Sequence, residues 1–171
     1  METKPTSHIT KGLIISLILI ALSVLTYFTD QQQASWNTWV QNLILLGGII
    51  WACISYGNQM DHNVTFGNVF GHGFKVSAVI TCIIIVFTVI FFLLFPDMKE
   101  KGLEIARQEM EKGGSLSDDQ IDQSLELVDR MFFIFTIGGL ILIYLIVGVI
   151  ASLIGAAVTK KQPRSPFENQ L

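Results

Sequence analysis

Of the chain's 171 residues, 51% are hydrophobic and only 15% charged, with a net charge of −3 and a mean hydropathy of +0.55. That balance argues for residence in a lipid bilayer and against an ordinary soluble domain. The basic residues are few and scattered, which excludes a nucleic-acid surface.

Four apolar stretches carry the argument: Gly12 to Thr29, Trp39 to Tyr56, Phe74 to Phe95 and Met131 to Val158, with Lys75 as their one charged residue. At ~1.5 Å per residue each is long enough to cross a hydrocarbon core of ~30 Å as a helix. None alternates apolar with polar residues, so a β-barrel is excluded. The fold class is therefore all-α, a single membrane domain over residues 1–171 with four transmembrane helices.

Lys4 and Lys11 precede the first stretch in the manner of a signal peptide. Its small-x-small pair, Ala21 and Ser23, lies inside the apolar run, so it reads as a retained anchor. The first connection, Asp30 to Thr38, has no Lys or Arg. In the second stretch the most polar residues, Gln41 and Asn42, fall in the end turn, where interfacial hydrogen bonding is the natural reading. Gly48 and Ala52 form a short row of small residues that favours helix contact.

The second connection ends in TFGNVFGHGFK. Phe66, Phe70 and Phe74 repeat every four residues, predicting an interfacial turn or two of helix leading into the third stretch. Gly67 and Gly71 would let another helix approach. A phosphate-binding glycine loop is excluded, because no strand precedes it and no Walker lysine follows. His62 beside Asp61, with His72 ten residues on, lacks the ligand number and spacing of a zinc site, and these side chains are expected to be solvated. Cys53 and Cys82 read as ordinary apolar packing.

The third connection, residues 96–130, is too long for a passive loop. Pro96, Asp97 and Glu100 suit a helix start and Gly113 with Gly114 a stop. Ser117 with Gln120 then makes a capping-box pattern. Leu103, Ala106 and Met110 share one face, and Ile121, Leu125, Val128 and Phe132 another. The segment is thus a helical hairpin whose stripes pack on each other, on the membrane or on a partner. Its second helix is expected to run unbroken into the fourth stretch, because no Gly or Pro lies between Leu116 and Thr136. In that last stretch Gly148, Ser152 and Ala156 stand at four-residue intervals, with Ala151 and Gly155 alongside, a surface for packing within the bundle or in a dimer.

Orientation follows the basic residues beside the spans, which the cytoplasmic side retains. Lys4, Lys11, Lys75, Lys160, Lys161 and Arg164 gather on one side when both termini are cytoplasmic. The third connection holds ten of the fourteen acidic residues and five basic ones, so it is expected outside. No ionisable residue is expected at mid-membrane, which argues against ion-coupled transport, and no catalytic constellation can be assembled.

The segments TFGNVFGHGFKVSAVI, PDMKEKGLEIARQEMEKGGSLSDDQIDQSLELV and GVIASLIGAAVTKK, in that order, resemble domain of unknown function 4199, small bacterial membrane proteins with four predicted spans. The resemblance runs from Gly12 to Lys161 and implies a bacterial inner membrane, with no functional residue set to carry over. The expected function is non-enzymatic and cofactor-free. Besides the lipid bilayer, the partners are a second copy of the chain or an unidentified membrane or envelope protein. The alternative is a small channel or transporter for a neutral or apolar solute.

Overall fold

The computed structural model describes residues 6–32, 34–114 and 116–162, and among them every regular element is an α-helix. In chain order these are α1 (His8–Phe28), α2 (Ser35–Gln59), α3 (Phe66–Leu94), α4 (Asp97–Gly113), α5 (Asp118–Arg130) and α6 (Phe132–Val158). α1, α2, α3 and α6 are long and apolar enough to cross a membrane. The chain divides into two compact units, one built from α1, α2, α3 as far as Ile83 and α6 from Ile143, the other spanning Ile84–Leu142.

The first unit is held by small residues, as lipid-exposed helices must be, because lipid tails compete with apolar side chains and leave close packing to distinguish neighbours. Ser7 caps α1 by accepting from Thr10 N. The buried face of α1 is Lys11, Gly12, Ile15, Ser16 and Leu19. A Cβ on Gly12 would collide with Val79 of α3, and one on Gly48 would lie 3.0 Å from the Ile15 side chain. α6 approaches from another direction. Cβ atoms at Gly148, Gly155 and Gly57 would run into Ser77, Cys53 and Thr159 respectively. Ser77 Oγ also donates to the Tyr144 carbonyl at 3.3 Å.

Polar side chains inside these helices bond back to their own backbones, the economical solution where no water is at hand. Ser16 donates to Gly12 O at 2.8 Å, Thr26 to Leu22 O at 3.0 Å and Thr159 to Gly155 O at 2.6 Å. Large apolar residues such as Leu17, Leu43, Val86 and Leu142 remain exposed, as lipid-facing positions should be.

Two non-local clasps close the end of this unit that carries residues 6–11 and 158–162. Thr6 N donates to Gln59 Oε1 at 2.9 Å, and Gln59 Nε2 returns a bond to Thr6 Oγ1 at 3.0 Å. The α2–α3 turn has two successive residues in the left-handed region, Asp61 and His62 (φ 49° and 62°). Among non-glycine residues Asp and His enter that region more readily than most, and local bonds from His62 N to Gly57 O and Asn63 N to Met60 O, each 2.9 Å, support it. Here Gln162 Nε2 donates to Asp61 O at 2.9 Å and Gln162 N donates to His62 O at 2.9 Å.

In the second unit the expectation of an unbroken helix through Phe132 needs correction. The helix is interrupted at Met131, whose φ of −107° and ψ of 19° leave the helical region. Its hydrogen bonds continue on both sides, Met131 N to Leu127 O and Phe135 N to Met131 O, each 3.0 Å. Neither Gly nor Pro is needed for a one-residue break of this kind. Beyond it, Phe132 is buried with its ring edge-on to Phe92 at 5.1 Å and beneath Gly102 of α4.

Close packing at Gly155 gives a test. Gly155→Ala places a methyl 2.7 Å from Cys53 and is expected to cost about 1–3 kcal/mol for the overpacked contact. Gly138→Ala meets nothing within 4 Å and should leave stability unchanged or raise it by up to ~1 kcal/mol through helix propensity. Thermal unfolding in detergent measures both.

Candidate functional site

The element least explained by spanning a bilayer is the α4–α5 pair. α4 begins with Asp97 and Glu100 and ends with Lys112, while α5 begins with Asp118 and Asp119 and ends with Arg130. Each helix therefore complements its own dipole. Gly114 stops α4 in the left-handed conformation, φ 61°. Gln120 Oε1 then accepts from Ser117 N at 2.9 Å, within the capping box that opens α5.

Two ion pairs join the helices, Lys99 with Asp129 at 2.7 Å and Arg107 with Asp122 at 2.9 Å. Arg107 also holds Glu111 at 3.1 Å along its own helix. Lys99 lies over the Phe132 ring at 5.9 Å. All four ion-pairing side chains are well exposed, so such pairs orient the helices more than they stabilise them. The apolar contribution comes from Ile121, which is 3% exposed, with Leu103, Ala106, Met110, Leu125 and Val128 half-buried.

Between the helices runs a groove of about 540 Å³. Leu103 and Leu125 supply its apolar lining, and Glu100, Glu104, Glu126, Asp129 and Arg107 its charged one. Four carboxylates against one guanidinium make it acidic, and three of the four already have partners. Asp129 is held by Lys99, Glu126 by Arg130 at 3.3 Å and Glu104 by Gln108 at 3.4 Å.

The other residues singled out from the sequence lie in the first unit, apart from Lys4 and Arg164, which fall outside the described residues. Ala52, Ser152 and Ala156 are fully buried, and Gly148 and Gly155 sit at helix contacts. Gly67 and Gly71 do not mark a close approach: a Cβ on Gly71 meets nothing within 4 Å, and one on Gly67 meets only Thr65 Oγ1 at 4.0 Å. The reason is helical phase. Val69, Gly73, Val76 and Ile80 form the buried face of α3, and Gly71 lies two positions from it, on the far side. Gly73 makes the approach instead, with Cys53 Sγ 2.5 Å and Ser152 Oγ 2.8 Å from where its Cβ would be. Lys75 and Lys160 are exposed. Lys161 closes the end of α6, donating to Ala156 O at 2.6 Å and Thr159 O at 3.0 Å. Gln41 donates to Asn37 Oδ1 at 2.9 Å.

Lys11 and His72 depart from the sequence expectation. Lys11 is 1% exposed, and its Nζ donates to Ala52 O at 3.3 Å. Ala52 lies seven residues before the end of α2, about 10 Å inside it at the helical rise. His72 is half-buried: it stacks on Tyr56 with ring centroids 4.2 Å apart, and its Nε2 is buried without a partner among the described residues. Periodicity contained the signal, since Lys11 shares a helix face with Gly12, Ile15 and Leu19, as His72 does with Val69 and Val76.

The sequence pattern of the family described as "Protein of unknown function (DUF4199)" matches residues 10–161. The chain belongs to the DUF4199 family. No curated protein and no solved structure matches it. Four membrane-capable helices make this DUF4199 chain a small multi-pass membrane protein.

The hairpin's energetics are testable. Ile121→Ala should destabilise it by about 2–5 kcal/mol through a lost buried side chain. Arg107→Met, which removes exposed ion pairs, should cost less than ~1 kcal/mol. Hydrogen exchange of α4 and α5 amides reads the difference.

Proposed function

We propose that this DUF4199 protein is a non-enzymatic component of the bacterial inner membrane, with both termini cytoplasmic and the α4–α5 hairpin outside, where it engages a membrane or envelope partner. The observation that carries this reading is the groove between α4 and α5, an amphipathic channel on a soluble element far more elaborate than a loop joining two spans requires. Acidic walls over leucines suit a basic, amphipathic segment of the partner. The orientation rests on the basic residues beside the spans and on a hairpin with an excess of five negative charges.

Crosslinking in native membranes from residues lining the groove tests the partnership. The expected result is a discrete adduct that Leu103→Glu with Leu125→Glu abolishes. Recovery of the protein alone, with no phenotype on replacing residues 97–130 by a short linker, would sink it. Orientation has its own test. A reporter active only outside the cytoplasm should work when inserted between Gly113 and Ser117 and fail when fused after Leu171, and the reverse pattern would refute the topology.

A second reading, a small channel or transporter, gains from Lys11. The sequence restricts that alternative to neutral or apolar solutes because no ionisable group is expected inside the spans. A lysine buried among them removes the restriction, since such residues mark ion and substrate paths. Solute flux into reconstituted vesicles that Lys11→Met abolishes would favour it over the partner reading.

A further inference from the structure

We propose that Lys11 and His72, with His8 beside them, form a binding site for a single phosphate group at the end of the first unit that carries the termini. The site spans two rungs of the bundle. On one, Lys11 Nζ meets Ala52 O at 3.3 Å. On the other, His72 stacks on Tyr56 with planes 10° apart, and His8 meets His72 edge-on with centroids 6.2 Å apart. Ala52 and Tyr56 are one turn apart on α2, and His8 and Lys11 one turn apart on α1, so both rungs belong to the same place.

The donors there are in excess. A lysine ammonium has three hydrogens to give, and Lys11 uses one on a carbonyl. His72 Nε2 is buried with no partner among the described residues, and its ring stacks on Tyr56 with His8 edge-on to it. Among the described residues no carboxylate pairs with Lys11, His8 or His72. The charged or chargeable groups that bear on His72 are Lys11, His8 and Lys75, every one a base. Buried cations are tolerated when paired, and the partner that suits these donors is an anion with several acceptor oxygens.

Phosphate fits the chemistry and the place. Its oxygens can take the two free hydrogens of Lys11 and one from His72, and the first turn of α1 adds the positive end of its dipole. His8 and His72 are half-buried while Lys11 is fully buried. Exposed Lys75, three residues on from His72, would draw anions toward it. The phosphate comes either from an anionic phospholipid headgroup or from a soluble phosphate.

The test uses the full chain in nanodiscs, with the thermal midpoint as readout. In one arm the discs are phosphatidylcholine and inorganic phosphate is titrated against a chloride control at equal ionic strength. In the other, phosphatidylglycerol is mixed into the discs with no free phosphate. A saturable rise in midpoint is expected in at least one arm, and the arm identifies the source. Lys11→Met should weaken it about tenfold at the least, because the charge-assisted hydrogen bonds from its ammonium are lost, and His72→Gln should weaken it measurably. Lys75→Gln should change it less than about twofold, as expected of a screened surface charge. No saturable rise in either arm overturns the site. So does a rise that survives Lys11→Met, or one that Lys75→Gln weakens equally. If Lys11→Met does not fold, His72→Gln decides, and unchanged binding in that variant overturns the proposal.

Discussion

Everything in the membrane-spanning unit depends on how near its backbones can come. Water drives apolar surfaces together in a soluble core, but a bilayer offers the same apolar surroundings to a helix alone as to a helix in a bundle. What remains is van der Waals contact and the satisfaction of polar atoms. The meeting of Gly73, Cys53, Ser152 and Gly155 supplies the first, with side chains occupying the space that Cβ atoms would otherwise fill. Three helices come together through these four residues. Large aliphatic side chains such as Leu19, Ile49 and Ile80 fill in around them, while many others, Leu17, Leu43 and Leu142 among them, face outward.

The same closeness imposes the unit's polar chemistry. Helices in tight contact leave no room for water, so Ser16, Thr26 and Thr159 turn to carbonyls of their own helices. Lys11 cannot do this from the first turn of α1 and crosses to α2. The α4–α5 pair obeys other rules. Its helices have charged exteriors, its ion pairs are exposed, and its apolar contact comes from one buried isoleucine and a half-buried stripe. The capping box and the left-handed Gly114 matter more there, because a short pair of helices has little core to compensate for loose ends.

Much of this was legible in the residue order. Spanning helices follow from runs of apolar residues longer than any soluble helix needs, and the turn between α4 and α5 from Gly113, Gly114 and Ser117, whose backbone and capping preferences are local. The break at Met131 was not legible, because no residue there resists helix; it stands beside the seating of Phe132 beneath Gly102. Gly67 and Gly71 misled for a related reason. Spacing of four marks a helix face but does not say which face turns inward, and on α3 that is decided by Val69, Gly73 and Val76. Lys11 was hidden by a rule that is right on average. A lysine at a span boundary ordinarily extends into water, and only its phase relative to Gly12 and Ile15 indicates otherwise.

The clasp between Gln162 and the Asp61–His62 turn bears on how the protein is made. Its partners stand 101 residues apart in the chain, so the turn must leave the ribosome and wait while α3 to α6 are synthesised. During that interval two residues in a backbone conformation unfavourable to them lack the amide and side chain that later hold it. Until the chain behind α6 arrives, the α2–α3 turn has only its local bonds, among them His62 N to Gly57 O and Asn63 N to Met60 O, each 2.9 Å. The clasp at this end can therefore close only after α6 has been made.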